Sequence, residues 1–289
     1  MDHGNHAINR FFNDHRDVAE VVVNEAKGST PRDAGTWMLV APDAIFGTIG
    51  GGYIEHLAIA RARQMLAGGG DGDMEFSVPL GSASGQCCGG NVTLTLCRLD
   101  DPARARIAAK VEGELAARPA VHVFGAGHVG MCLIKALCLL PVRPVLVDSR
   151  KELLQAAPPG VETCLAALPE LIVRRAPPAS AFVILTHKHS LDFLIAKEVL
   201  QRNDARYAGM IGSKTKRAVF ARWFKQENGS PEQLSGLVCP IGGKITGDKR
   251  PQVIASFVAA EIMERLACPA QNADLRNETG GMEQMREEA

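Results

Sequence analysis

The stretch Val121-His122-Val123-Phe124-Gly125-Ala126-Gly127-His128-Val129-Gly130 decides how the chain is read. A β-forming apolar run passes into Gly-x-Gly-x-x-Gly and then into a helical pattern, which is the context that gives this glycine spacing meaning. Gly125 allows the tight turn, Gly127 lets the backbone approach a pyrophosphate, and Gly130 lets helix and strand pack closely. The helix N-terminus adds partial positive charge. The next strand-like run, Pro144 to Val147, ends at Asp148, 18 residues past Gly130, where a carboxylate would accept hydrogen bonds from ribose hydroxyls. His128 inside the loop and Arg150 just after Asp148 favour a modified anion site over plain NAD recognition. Two readings stay open: a nucleotide site, or the same fold adapted to another phosphate ligand.

Outward from this stretch, strands and helices alternate. Strand Ala120–Phe124 precedes helix His128–Leu139, strand Pro144–Asp148 and a helical Lys151–Ala157. Further on come strand Ala181–Thr186, helix Leu191–Leu200, strand Arg206–Ile211, helix Lys214–Gln226 and a closing helix near Pro251–Leu266. The alternation predicts a Rossmann-like, doubly wound and mostly parallel sheet over 119–268. The polar, Glu-rich segment 269–289 reads as a disordered tail.

Residues 1–100 read as a separate mixed α/β domain, so the fold class is α/β throughout, with 101–118 as a linker that has helical character. The segment Phe11–Ala26 fits a helix or a helix-to-strand passage, and Thr36–Val40 with Ile45–Ile49 form a hairpin pattern. A helix follows over Tyr53–Leu66, then strands at Met74–Pro79 and Asn91–Leu99.

The remaining chemistry-bearing residues fall in loops. Thr186-His187-Lys188-His189-Ser190-Leu191-Asp192 follows a buried strand, at the sheet edge where open α/β folds bind ligands. His187, His189 and Asp192 could hold a metal, or could line a pocket beside a helix cap. Gly212-Ser213-Lys214 forms another strand-to-helix junction, with Lys216 and Arg217 adding charge for an anionic ligand. In the first domain, Arg32 and the loop Gly50-Gly51-Gly52 form a second candidate anion nest. Cys87 and Cys88, flanked by Gly85 and by Gly89-Gly90, suit a thiolate that ligates a soft metal or carries sulfur. Cys239 reads as a structural thiol.

Composition narrows the function classes. Over 289 residues, 32 Lys plus Arg balance 32 Asp plus Glu, so no global field draws the protein to nucleic acid. The longest apolar stretch, Met131 to Val142, is short for a membrane span and holds Lys135. The N-terminal residues lack a signal-peptide pattern, so a cytoplasmic location with reduced cysteines is expected.

Taken together these motifs resemble the XdhC/CoxI family. Gly28-Ser29-Thr30-Pro31-Arg32, Gly47-Thr48-Ile49-Gly50-Gly51-Gly52 with Glu55, and Gly85-Gln86-Cys87-Cys88-Gly89-Gly90 are similar to its N-terminal signatures. Phe124 to Gly130, Thr186-His187 with His189 and Leu191-Asp192, Ile211 to Lys214, and Cys239-Pro240-Ile241-Gly242 are similar to its C-terminal ones. The resemblance implies a non-catalytic protein that binds molybdenum cofactor and protects it while a cysteine desulfurase helps install the sulfido ligand. It also implies delivery of the cofactor to xanthine dehydrogenase and a homodimeric state. The double Cys with Tyr53 resembles the branch using the molybdopterin form, since relatives serving cytosine-dinucleotide enzymes tend to carry Cys where Tyr53 stands. The competing reading is an NAD(P)-dependent oxidoreductase on the same glycine fingerprint, with His187 or His189 as proton donor. A metal or redox sensor using Cys87 and Cys88 is a third. Lys188 departs from the family, which commonly has an acid there.

Overall fold

The computed structural model describes residues 5–50, 52–68, 72–80, 89–243 and 248–267. The chain divides into two compact units, Met1–Ala116 and Ala117–Ala289.

The first unit runs α1 (Asn5–Asp14), β1 (Ala19–Lys27), β2 (Trp37–Val40), β3 (Ile45–Gly47), α2 (Gly52–Gly68), β4 (Met74–Pro79), β5 (Asn91–Arg98) and α3 (Asp101–Ala116). Its strands pair antiparallel in the order β3-β2-β1-β5-β4. Alternation along β2 explains the layering. Met38 and Val40 face α2, meeting Ile54, Ala58 and Met65, while Leu39 faces Ile8, Phe11, Ile107 and Val111 of α1 and α3. The passage Phe11–Ala26 thus resolves into the end of a helix followed by a strand. Residues 101–116, expected as a linker with helical character, form α3, whose Ala103, Ile107 and Val111 fall on one helical face and complete the first unit's core.

The second unit continues with β6 (Ala120–Phe124), α4 (His128–Leu137), β7 (Arg143–Asp148), α5 (Lys151–Leu154), β8 (Glu162–Leu165), α6 (Glu170–Arg175) and β9 (Ala181–Ile184). After these come α7 (His189–Arg202), β10 (Tyr207–Met210), α8 (Lys214–Gln226), α9 (Pro231–Ser235), β11 (Leu237–Val238) and α10 (Pro251–Ala267). All strand pairs are parallel, in the order β11-β10-β9-β6-β7-β8. This is the doubly wound Rossmann order, and its strand order reverses between β6 and β9. Every residue of β6, β9 and β10 is buried, as expected of central strands covered on both faces. Helices α4 and α10 cover one face through Leu133, Ile134, Val258 and Ile262. Helices α6, α7 and α8 cover the other through Val173, Ile195, Val199, Phe220 and Phe224.

Candidate functional site

The reversal point brings the loops after β6 and β9 side by side. Leu185 N–H donates to Phe124 O at 2.8 Å, and Gly125 N–H donates to Val147 O at 2.8 Å. The three fingerprint glycines then separate by cause. Gly125 has φ +118°, and a Cβ there would stand 2.4 Å from Leu185 O. A Cβ at Gly130 would lie 1.9 Å from Gly125 O, so the tight turn itself forbids a side chain. Gly127 is different: its φ of −73° suits any residue, and a Cβ would meet nothing within 4 Å. It is exposed and serves as N-cap of α4 without a side-chain capping bond, with exposed His128 as the next residue. Packing does not require a glycine here, so the open backbone faces whatever approaches the helix end.

Asp148 ends β7 beside this loop with its side chain only 4% exposed. Oδ1 accepts from Arg150 N–H and Nε, both at 2.9 Å; Oδ2 accepts from Ala126 N–H at 2.7 Å and Arg150 Nη2 at 2.9 Å. A carboxylate offers about four acceptor positions, and here all four are filled. Burial alone would push this carboxyl up, but the Arg150 side chain, the two backbone donors and the Arg150 charge outweigh it and hold it at about 2. The expected ribose acceptor is therefore occupied from within the chain. The cleft lined by Gly125, Asp148, Pro169, Thr186 and His187 measures about 10 Å³, roughly the room one water needs.

The loop after β9 carries a correction. Asp192, read as a possible metal ligand, is fully buried and structural. It accepts from Thr186 Oγ1 at 2.6 Å, from Thr186 N–H at 3.0 Å and from Lys216 Nζ at 2.5 Å. Lys216, expected to lend charge to a ligand, is only 8% exposed and also donates to Ile211 O at 2.8 Å. Arg217 donates to Leu237 O. Gly212 gives Lys216 room, since a Cβ there would lie 2.7 Å from Lys216 Cδ. Ser213 is the N-cap of α8, accepting from Lys216 N–H at 3.2 Å. His187, His189 and Lys214 remain exposed at the same sheet edge. Among the described residues no group of three or more His, Cys, Asp or Glu could hold a metal. What sequence reasoning missed is the burial of Lys216. The signal was available, because Lys216 lies three residues past the Ser213 cap and one turn before buried Phe220.

In the first unit, β1 and β3 end, and β5 begins, at one edge of the sheet. Described residues of three family motifs meet there. A Cβ at Gly90 would stand 2.5 Å from Lys27 O and 2.6 Å from Ser29 O, and a Cβ at Gly50 would stand 2.9 Å from Pro31 Cβ and 3.1 Å from Arg32 Cγ. Arg32 is exposed beside this loop. As an anion nest, however, the loop is partly spent: Ile49 N–H donates to Glu55 Oε2 at 3.2 Å and Gly50 N–H to Thr48 Oγ1 at 3.1 Å. Thr48 Oγ1 in turn donates to the same Glu55 oxygen at 2.5 Å, so a carboxylate already sits where an anion was expected. Gly51, Cys87 and Cys88 lie outside the described residues, as does the expected tail 269–289. Cys239 is buried, and burial pushes its thiol up, in keeping with a structural role.

No helix among the described residues is long and apolar enough to cross a membrane. Residues 121–262 match the XdhC Rossmann domain and residues 12–77 match the XdhC and CoxI family. A curated relative, the uncharacterized protein YqeB of Escherichia coli K12, is 27% identical over 259 residues, which is 86% of this chain. The chain spans only 43% of that relative's length. The fold is similar to that of a Bacillus halodurans protein whose crystal structure is described as a xanthine dehydrogenase, with a TM-score of 0.76 and 16% identity over 93% of this chain and 97% of the other. With both units matched in order, the chain belongs to the XdhC/CoxI family.

Proposed function

We propose that the chain is a non-catalytic accessory protein that binds molybdenum cofactor in its molybdopterin form and delivers it to a xanthine dehydrogenase. The proposal extends to protection of the cofactor while a cysteine desulfurase acts on it, to a homodimeric state and to a cytoplasmic location. The observation that carries it is the contrast at the β6–β7 edge: Gly127 leaves an open approach to an uncapped helix end, while Asp148 has no acceptor position left for a ribose. A phosphate-terminated pterin fits those residues. Its phosphate would be held by backbone N–H groups at the start of α4, with exposed His128, His187, His189 and Lys214 as further donors at that edge. Arg32 beside the Gly50 loop would give a second polar contact region, and Cys87 and Cys88 would serve as soft-metal ligands. When bound, the cofactor supplies the redox centre of the target enzyme; the chain's task is to hold and shield it.

The strand order equally suits a nicotinamide dinucleotide, so the competing reading is an NAD(P)-dependent oxidoreductase. It requires Asp148 to be free for ribose, which the Arg150 contacts oppose.

The test is anaerobic transfer. Protein loaded with molybdenum cofactor is mixed with apo xanthine dehydrogenase, and urate formation is compared with free cofactor at equal concentration. Faster and fuller activation than free cofactor is expected, with Cys87→Ala or Cys88→Ala reducing it. Activation no better than free cofactor contradicts the reading.

A further inference from the structure

The side chain two residues beyond the expected ribose acceptor does more than neutralise it. Arg150 lays its planar fork along the Asp148 carboxylate, Nε on Oδ1 and Nη2 on Oδ2, each at 2.9 Å, while its own N–H donates to Oδ1 at 2.9 Å. The two fork bonds occupy the pair of acceptor positions that adjacent ribose hydroxyls would use in this fold. The remaining position is held by Ala126 N–H at 2.7 Å, which ties the carboxylate to the glycine loop. A bidentate guanidinium–carboxylate pair is among the stronger polar contacts a chain can make, and here the carboxylate side is almost wholly out of water.

A ribose reaching Asp148 must therefore expel Arg150. That exchange gives up two charge-assisted bonds for two neutral hydroxyl donors, an unfavourable trade at a buried oxygen pair. A phosphate at the start of α4 needs no such exchange. It meets Gly127, where a Cβ would have nothing within 4 Å, and the α4 N-terminus, which has no side-chain capping bond.

We infer that Arg150 is a specificity-determining residue, an internal stand-in for the ribose diol that makes this edge select phosphomonoester ligands lacking a nucleoside over dinucleotides. The inference rests on reading the edge as a phosphate site and names its ligand class. It does not need that ligand to carry molybdenum.

The probe is NAD⁺, titrated calorimetrically into the full chain, with thermal melting to verify the fold of each variant. Wild type is expected to give no saturable heat up to about 1 mM. Arg150→Ser frees two acceptor positions, and it should bind NAD⁺ with a Kd at least about tenfold below that limit. Adding Asp148→Asn should abolish the gain. Arg150→Lys keeps the charge but cannot bridge both oxygens, and it reads the same way should the Ser variant fail to fold. Saturable NAD⁺ binding by wild type overturns the inference, as does a folded Arg150 variant that gains nothing. Because no arm uses the pterin, either outcome is distinct from success or failure of cofactor transfer.

Discussion

Gly127 and Gly130 stand three residues apart in one motif, yet substitution should affect them in opposite ways. Gly130→Ala places a methyl 1.9 Å from Gly125 O, so backbone must move and the second unit should lose at least about 2 kcal/mol, read by urea denaturation. Gly127→Ala meets open space at an ordinary φ; its melting midpoint should stay within about 1 °C while phosphate-ligand binding falls. The motif's spacing gives the three glycines separate tasks, and the distances agree: close contacts exclude a side chain at Gly125 and Gly130, while space stays open at Gly127. His122 makes a second case at this scale. It lies in β6, 5% exposed, stacked against Phe124 and Phe182, and its Nδ1 lacks a hydrogen-bond partner. Burial first, then the Arg143 and Arg202 charges, pull its pKa down to about 4. An unfolded chain takes up this proton near 6.5 and the folded one near 4, so stability should fall as pH drops through that window, by at most about 3 kcal/mol. His122→Leu should flatten that part of the stability–pH curve, and an unchanged slope would remove His122 as its source.

At the scale of elements, the tie between α7, α8 and the loop after β9 is a buried ion pair. Lys216 joins Asp192 and Ile211 O, and Asp192 joins Thr186. Lys216→Met alone leaves a fully buried carboxylate without its cation and should cost about 3 kcal/mol or more in chemical denaturation. The double variant Lys216→Met/Asp192→Leu should recover much of that loss, because replacing both charges removes both desolvation penalties. An equal loss in both variants would mean that the shape of the network matters more than its charge. Elements differ in how well the sequence announces them. The runs β6, β9 and β10 are short, buried throughout and apolar apart from His122 in β6, so they are read with nearly their observed limits. Edge strand β8, with the sequence ETCL and three of four residues exposed, has neither alternation nor an apolar run, and the two-residue β11 is too short to show either. The stretch 101–118 announces its helix but not its burial: Ala, Arg and Glu suit a solvated helix, while Ala103, Ile107 and Val111 recur at helical spacing and pack into the core.

For the whole molecule, two units matched by two models of one family, with order 3-2-1-4-5-6 in the second, make the architecture legible from sequence. The site was legible in part. Spacing finds Gly125, Gly127, Asp148 and His187, but it cannot tell a carboxylate open to ligand from one closed by a neighbour two residues away. In the proposed function, that difference is what favours a carrier over a dinucleotide enzyme. The most direct measurement is the molybdenum and pterin content of the protein purified anaerobically from a cofactor-producing host, beside Gly127→Ala prepared identically. Near-stoichiometric metal and pterin in wild type, at least about tenfold lower in a variant with unchanged melting, is the predicted result. A folded wild type free of pterin where the cofactor is abundant, or a Gly127→Ala protein that retains it fully, would contradict the account.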